Sequence, residues 1–216
     1  MSFLPLVGTT STDACVAAAG SVGEPSFAVP PAATVVCTFA GNEAEAGEAE
    51  AAAMLRCFED AGATWAAQST DPEEADALFA ARRLAYPALE RLGDVLTEDV
   101  CVPKSAVPEM LARVEAAAQR HDILIANIAH AGDGNLHPLM ITQPGDTAAR
   151  ERAQKAFDEI ITDALKLGGT VTGEHGIGLL KRGGLSQELA PEVMAMQRAV
   201  KAALDPHDIL NPGKVL

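Results

Sequence analysis

Three of the five histidines in this 216-residue chain lie in two short glycine-rich segments, HAGDGNLH over 130–137 and TGEHGIG over 172–178. In the first, apolar β-prone runs flank Asp133-Gly134. That dipeptide is a strong signal for a two-residue hairpin turn. With Asp133-Gly134 as the turn, His130 is expected directly opposite His137, and opposed side chains of an antiparallel pair share a face. Two imidazoles so placed can converge on one metal ion. In the second segment Glu174 would complete a two-histidine, one-carboxylate site with open positions, as catalytic metal centres require. His175 is then free to act as a base, and Gly176 with its neighbouring glycines permits a ligand to approach the backbone closely.

Each segment alone is a weak signal, because a polar hairpin carrying two histidines is commonly a surface turn. Their concentration in glycine-flanked segments favours a composite site. Other chemistries lack their signatures. The chain has no H-E-x-x-H, no G-x-G-x-x-G after a strand and no phosphate-cradling G-x-x-x-x-G-K-[ST]. The four cysteines form no C-x-x-C pair and read as free thiols of a reducing compartment.

The elements that must position these residues alternate along the chain. Residues 1–32 read as a flexible tail rich in Gly, Ala, Ser, Thr and Pro. A strand is expected over 33–40, then a helix capped by Asn42 and running to about Asp60, and a short strand near 64–68. Asp71-Pro72-Glu73-Glu74 is a helix start, and that helix is expected to end before Pro87. A strand over 95–102 precedes a helix from Ser105, whose Val107, Met110, Leu111, Val114 and Ala118 recur at helical spacing. The hairpin strands 123–130 and 137–142, a helix over 148–167, a strand over 170–172 and a last helix over about 192–204 complete the pattern. A hairpin among alternating strands and helices implies an α+β fold, a mostly antiparallel sheet with helices packed on it.

Charge narrows the partners. The net charge is -14, from 16 basic and 30 acidic side chains, which disfavours nucleic acid and anionic membranes. Residues 1–81 hold 12 acids and one base, whereas residues 82–216 hold 18 acids and 15 bases, so an anionic substrate belongs in the second part. No apolar run approaches the roughly 20 residues of a membrane-spanning helix, and no basic leader precedes Arg56. The expected location is the cytoplasm, with peripheral attachment to the inner membrane compatible with it.

HAGDGNLHP, FAARRLAYPALERL, TGEHGIGLLKR and LDPHDILNPGK together resemble the C-terminal region of FAD-linked oxidases in the vanillyl-alcohol-oxidase superfamily. Glycolate oxidase FAD subunits, cytochrome-type D-lactate dehydrogenases and D-2-hydroxyglutarate dehydrogenases are the similar members. The resemblance runs from about Val35 to Leu216 and implies that 33–216 form the cap domain of that family. It implies FAD as cofactor and a divalent metal, zinc or manganese, on His130, His137 and Glu174. His175 matches the general base and Arg82 the arginine that holds the substrate carboxylate. Glu174, His175, Gly176 and Asn211 fall where the family approaches the flavin. A second cationic substrate contact of some members falls near Thr97, which implies a small 2-hydroxy acid such as lactate or glycolate. The family grips FAD mainly through a domain N-terminal to this region, and residues 1–32 are too short to supply it. Two roles are therefore open. The chain supplies the substrate and metal domain to a separate FAD-binding chain or electron-acceptor subunit, or it is a non-catalytic remnant or assembly module.

Overall fold

The computed structural model describes residues 5–9, 33–35, 44–60, 71–130 and 132–216. Its centre is an antiparallel sheet of six strands: β1 (Pro5–Thr9), β2 (Ala33–Val35), β3 (Asp94–Thr97), β4 (Val100–Cys101), β5 (Leu124–His130) and β6 (Asn135–Thr142). They lie in the order β2-β1-β5-β6-β3, and β4 also pairs with β6. The helices are α1 (Ala44–Asp60), α2 (Pro72–Glu90), α3 (Val107–His121), α4 (Thr147–Lys166), α5 (Arg182–Glu188) and α6 (Pro191–Leu204). The architecture is α+β with a fully antiparallel sheet, as expected.

The tail expected over 1–32 is corrected at its start. Pro5–Thr9 pairs with β5 from Pro5↔His130 to Thr9↔Ala126, and with β2 on its other side. A run this short, beside Gly and Pro, carries little local signal. Its pairing is non-local: β5 is a buried strand whose N–H and C=O groups need partners on both sides. The Asn42 cap and the strand near 64–68 fall outside the described residues, as do 36–40 of the first strand.

Alternation along the central hairpin sorts two cores. Ile125, Ala129, Leu136 and Met140 face α3 and α4, and pack with Met110, Val114, Phe157 and Ile160. Ala126, Leu139 and Ile141 face the other way, toward Leu89 and Tyr86 at the end of α2. The α3 stripe read from sequence is the buried face of that helix, with Val107, Met110, Val114 and Ala118 all buried. A short 3-10 turn over Lys104–Ala106 precedes α3, so the α-helix begins at Val107 rather than Ser105.

Helix α2 starts as expected, with the Asp71 carboxylate accepting from the N–H groups of Glu73 and Glu74 at 2.9 and 3.0 Å. It does not stop before Pro87 but runs through it to Glu90. Proline inside a helix costs about 3 kcal/mol. The turn beyond it carries Ala88 and Leu89, both essentially buried, and their burial offsets that cost. The strand expected over 95–102 is broken into β3 and β4. Both keep one register on β6, which sets the intervening Glu98 and Asp99 opposite Pro138 and His137. Pro138 has no N–H to donate, so the ladder lapses there. Residues 170–172 form no strand beyond a single bridge between Thr170 and Cys101. Helix α5, absent from the sequence expectation, contains Gly183 and Gly184, which lower helix propensity; Leu185 anchors it in the core.

The hairpin turn is longer than expected. His130 pairs with Asn135, Ala129 with Leu136 and Ile128 with His137, so the connection is longer than Asp133-Gly134 and includes Gly132. The His130 carbonyl accepts from Asp133 at 2.9 Å and Gly134 at 3.1 Å, which closes the turn. Gly134 has φ +77, and its carbonyl accepts from the Val102 N–H at 2.9 Å. A Cβ there would meet the Val102 carbonyl oxygen at 2.0 Å. Gly134→Ala is therefore expected to lower stability by about 2 kcal/mol or more, read as a drop in urea midpoint. An unchanged midpoint would show that this turn does not fix the hairpin.

Candidate functional site

The corrected register preserves what matters for the histidines. The actual pairing differs from the expected one by two residues, not one. Parity along a strand decides the face, so His130 and His137 still share a face, now as diagonal neighbours. Their rings meet edge to face with centroids 5.4 Å apart. Glu174 arrives from the segment after α4, and its Oε1 lies 2.9 Å from His137 Nε2 and 3.4 Å from His130 Nε2. Asn135 Nδ2 donates to the same Oε1 at 3.0 Å and orients the carboxylate. The His175 ring lies 5.0 Å from that of His137. The structure thus brings together His130, His137, Glu174 and His175.

The donor set fits a metal ion. His137 Nε2 is buried and makes no hydrogen bond, although Glu174 Oε1 is close. Its lone pair and the carboxylate are aimed at shared space rather than at each other. Burial first, and then the neighbouring His175 ring, push His137 below the ordinary imidazole range. It stays neutral near pH 7, the form that ligates. Two ring nitrogens and one carboxylate oxygen suit zinc or manganese, and leave coordination positions open.

A cavity of about 240 Å³ adjoins the three donors, lined by Arg83, Tyr86, Thr97, Ile128 and Leu139 as well as His130, His137 and Glu174. It sits on the α2 side of the sheet. Tyr86 Oη and Thr97 Oγ1 hydrogen-bond at 3.0 Å across it. Thr97, expected near the substrate by resemblance, does line this space. Arg82 belongs to α2, but its side chain lies outside the described residues; its neighbour Arg83 lines the cavity. Asn211 stands on the C-terminal turn at φ +49, and its Oδ1 accepts from Lys214 at 3.4 Å. The Val215 N–H donates to the Gly178 carbonyl at 2.8 Å, which ties that turn to the segment bearing Glu174 and Gly176.

Sequence reasoning missed the groups that hold this segment. Asp99, fully buried, accepts through Oδ2 from the backbone N–H groups of Gly173, Glu174 and His175 at 2.7, 2.6 and 3.2 Å. The Lys181 ammonium, 1% exposed, bonds the Asp99 carboxylate and donates to the Asp99 carbonyl at 2.7 Å. It also lies 3.4 Å from Glu98 Oε2. Asn135 leaves no room above Gly173, where a Cβ would meet its amide carbon at 2.6 Å. Two consecutive acids in an apolar strand were the available signal, since a buried carboxylate demands a cation. Burial would raise the Asp99 carboxyl, but Lys181 and the N–H groups of Glu174 and His175 outweigh it and hold the group well below the ordinary carboxylate range. Glu98 goes the other way: burial raises it against the pull of Lys181.

Lys181→Met leaves Asp99 buried with three backbone N–H groups and the Thr172 hydroxyl but no cation. The expected cost at neutral pH is about 3–5 kcal/mol. The Asp99 contribution is complete above the unfolded carboxyl pKa of about 3.9 and fades as pH falls below it, because the folded value is depressed. The difference between wild type and Lys181→Met should therefore shrink below about pH 4, read from denaturant midpoints across pH. A constant difference would assign the loss to packing on Phe157 instead.

Comparison with known proteins agrees with this architecture. The family model described as FAD linked oxidases, C-terminal domain, matches residues 4–215. The glycolate oxidase subunit GlcD of Bacillus subtilis is 46% identical over 144 residues, 66% of this chain and 31% of that protein. The probable mitochondrial D-lactate dehydrogenase of Danio rerio is 34% identical over 194 residues, 88% of this chain and 38% of that protein. The chain thus spans about a third of the length of such relatives. A 4-ethylphenol oxidase from Gulosibacter chungangensis, solved with isoeugenol, shares the fold at a TM-score of 0.58 and 15% identity, over 98% of this chain and 47% of that one. On the match over 4–215, this chain belongs to the family of FAD linked oxidases, C-terminal domain.

Proposed function

We propose that this chain supplies the substrate and metal domain for FAD-dependent oxidation of a small D-2-hydroxy acid of the D-lactate or glycolate type. The observation that carries this reading is the convergence of His130 Nε2, His137 Nε2 and Glu174 Oε1 beside the 240 Å³ cavity. The names of the similar proteins, a glycolate oxidase subunit and D-lactate dehydrogenases, support the substrate class.

His130, His137 and Glu174 would hold a divalent ion, with Asn135 orienting the Glu174 carboxylate. Zinc or manganese bound there would supply Lewis acidity toward the hydroxyl and carboxylate oxygens of the substrate. The ring of His175, partly exposed and next to His137, takes the hydroxyl proton. FAD, when bound, would supply the redox chemistry as the acceptor of the C2 hydrogen. Arg82 pairs with the substrate carboxylate, a task suited to a guanidinium fork. Ile128, Leu139 and Tyr86 give the cavity apolar walls that suit a short aliphatic substituent at C2 of the acid. Gly176 and Asn211, on two linked segments, would lie beside the flavin. A separate FAD-binding chain or electron-acceptor subunit is the partner. The cytoplasm, with peripheral membrane attachment, is the proposed location; among the described residues no helix is long and apolar enough to cross a membrane.

The purified chain, loaded with zinc or manganese and dialysed, should retain one equivalent by elemental analysis. His130→Ala combined with His137→Ala should retain none; a wild-type chain that also emerges metal-free overturns the metal site. Reconstituted with FAD and a flavin-binding partner, the protein should reduce a dye with D-lactate or glycolate. His175→Ala should then lower kcat about 10²- to 10⁴-fold. A full-rate His175→Ala protein would exclude that ring as the base.

A further inference from the structure

Resting on the metal reading above, we infer that Asp99, fixed by Lys181, is a positioning residue that sets where Glu174 and His175 stand relative to the two metal-binding histidines. Residues 173–176 are exposed, and among the described residues the N–H groups of Gly173, Glu174 and His175 have no partner other than Asp99. Three successive N–H groups converge on one oxygen in only a narrow range of backbone conformations. Accepting all three therefore fixes the direction in which the Glu174 and His175 side chains leave the chain. Thr172 completes the clasp: its hydroxyl donates to Asp99 Oδ1 at 3.0 Å and accepts from the Gly176 N–H at 2.9 Å.

The clasp is referenced to the histidines through the sheet. The common register of β3 and β4 puts Asp99 opposite His137 on β6. The same pair of strands thus places one metal ligand and the group that places another. Lys181 closes the arrangement. Glu98, Asp99 and His175 present donor atoms close enough together to hold a cation, and the Lys181 ammonium already lies against both carboxylates. A fixed organic cation supplies the charge there, so this cluster serves geometry while His130, His137 and Glu174 bind the metal. Partners that orient ligands in this way are worth about 10- to 100-fold in metal affinity.

The test titrates the whole chain with Co²⁺, whose visible absorption reports ligand geometry, alongside a denaturant midpoint. Asp99→Asn with Lys181→Met removes both charges of that pair together and takes the ammonium 3.4 Å away from Glu98 as well. This folded double variant should bind Co²⁺ about 10- to 100-fold more weakly, with an altered visible spectrum. Thr172→Val keeps the ion pair and should weaken binding about 2- to 10-fold, the equivalent of one net hydrogen bond. If the double variant does not fold, Thr172→Val carries the test alone. Wild-type affinity and spectrum in a folded variant overturn the positioning role while leaving the metal site standing. No Co²⁺ binding by wild type, matching His130→Ala, overturns the metal reading and this inference with it.

Discussion

A carboxylate with no exposed surface, Asp99, is the point from which the rest of the site is measured. Burying an ionised group costs several kcal/mol unless nearly every lone pair finds a donor. Asp99 has Lys181 on one oxygen and three backbone N–H groups on the other, with the Thr172 hydroxyl between. Lys181 in turn stands 5.8 Å from the centre of the Phe157 ring in the main core. One charge pair therefore joins a break in the sheet, a loop and the entry to α5. Such a pair adds little net stability over an apolar substitute. What it adds is a single arrangement of an otherwise exposed, glycine-rich loop. A second carboxylate does the same upstream, where Glu188 of α5 accepts from the Val171 N–H at 2.9 Å and from the Thr170 hydroxyl.

The break between β3 and β4 makes this possible. Backbone groups along a strand point alternately to its two sides, and the bonds of Val102 to Gly134 and of Cys101 to Thr170 set Glu98 toward β6 and Asp99 away from it. Glu98 therefore faces Pro138, which has no N–H to donate, while the Asp99 carbonyl, turned away from β6, accepts from Lys181 at 2.7 Å. The same β6 carries His137 one residue before the proline and Asn135 two residues before that. Strand alternation then sets Asn135, His137 and Leu139 on the cavity side, and Leu136 and Met140 in the helical core. Candidate metal ligand, carboxylate orienter and cavity wall are one period-2 pattern.

Much of this was legible locally. The helix periods, the Asp71 cap and the convergence of His130 with His137 follow from spacing of two or three to four residues. The hairpin register was misread because Asp133-Gly134 favours a two-residue turn. Gly134 instead needs its positive φ to bring its carbonyl to Val102, a contact outside the hairpin. The histidine pairing survived only because the error was even. The groups that could not be read are those whose partners are distant in sequence: β1 against β5, Pro87 tolerated by burial of Leu89, and Asp99 against Lys181, 82 residues apart. A local pattern reports propensity, whereas these depend on what tertiary packing leaves unsatisfied.

Electrostatics add a constraint on what the cavity accepts. The chain carries a net charge of -14, so an anion approaches it against the average field. Attraction has to come from cations at the site itself. Lys181 is buried and lies against two carboxylates, so it has no free face for a substrate. The cationic side chain on the cavity wall is Arg83, on the helix that also carries Arg82. On the proposed reading, an ion on His130, His137 and Glu174 would supply positive charge for a 2-hydroxy acid at the site. A substrate long enough to need a further charge contact at its distal end would meet Thr97 and Tyr86, which are neutral and hydrogen-bonded to each other. Breaking that bond without replacing it leaves polar groups unpaired. This favours a short, monoanionic acid over a dicarboxylate.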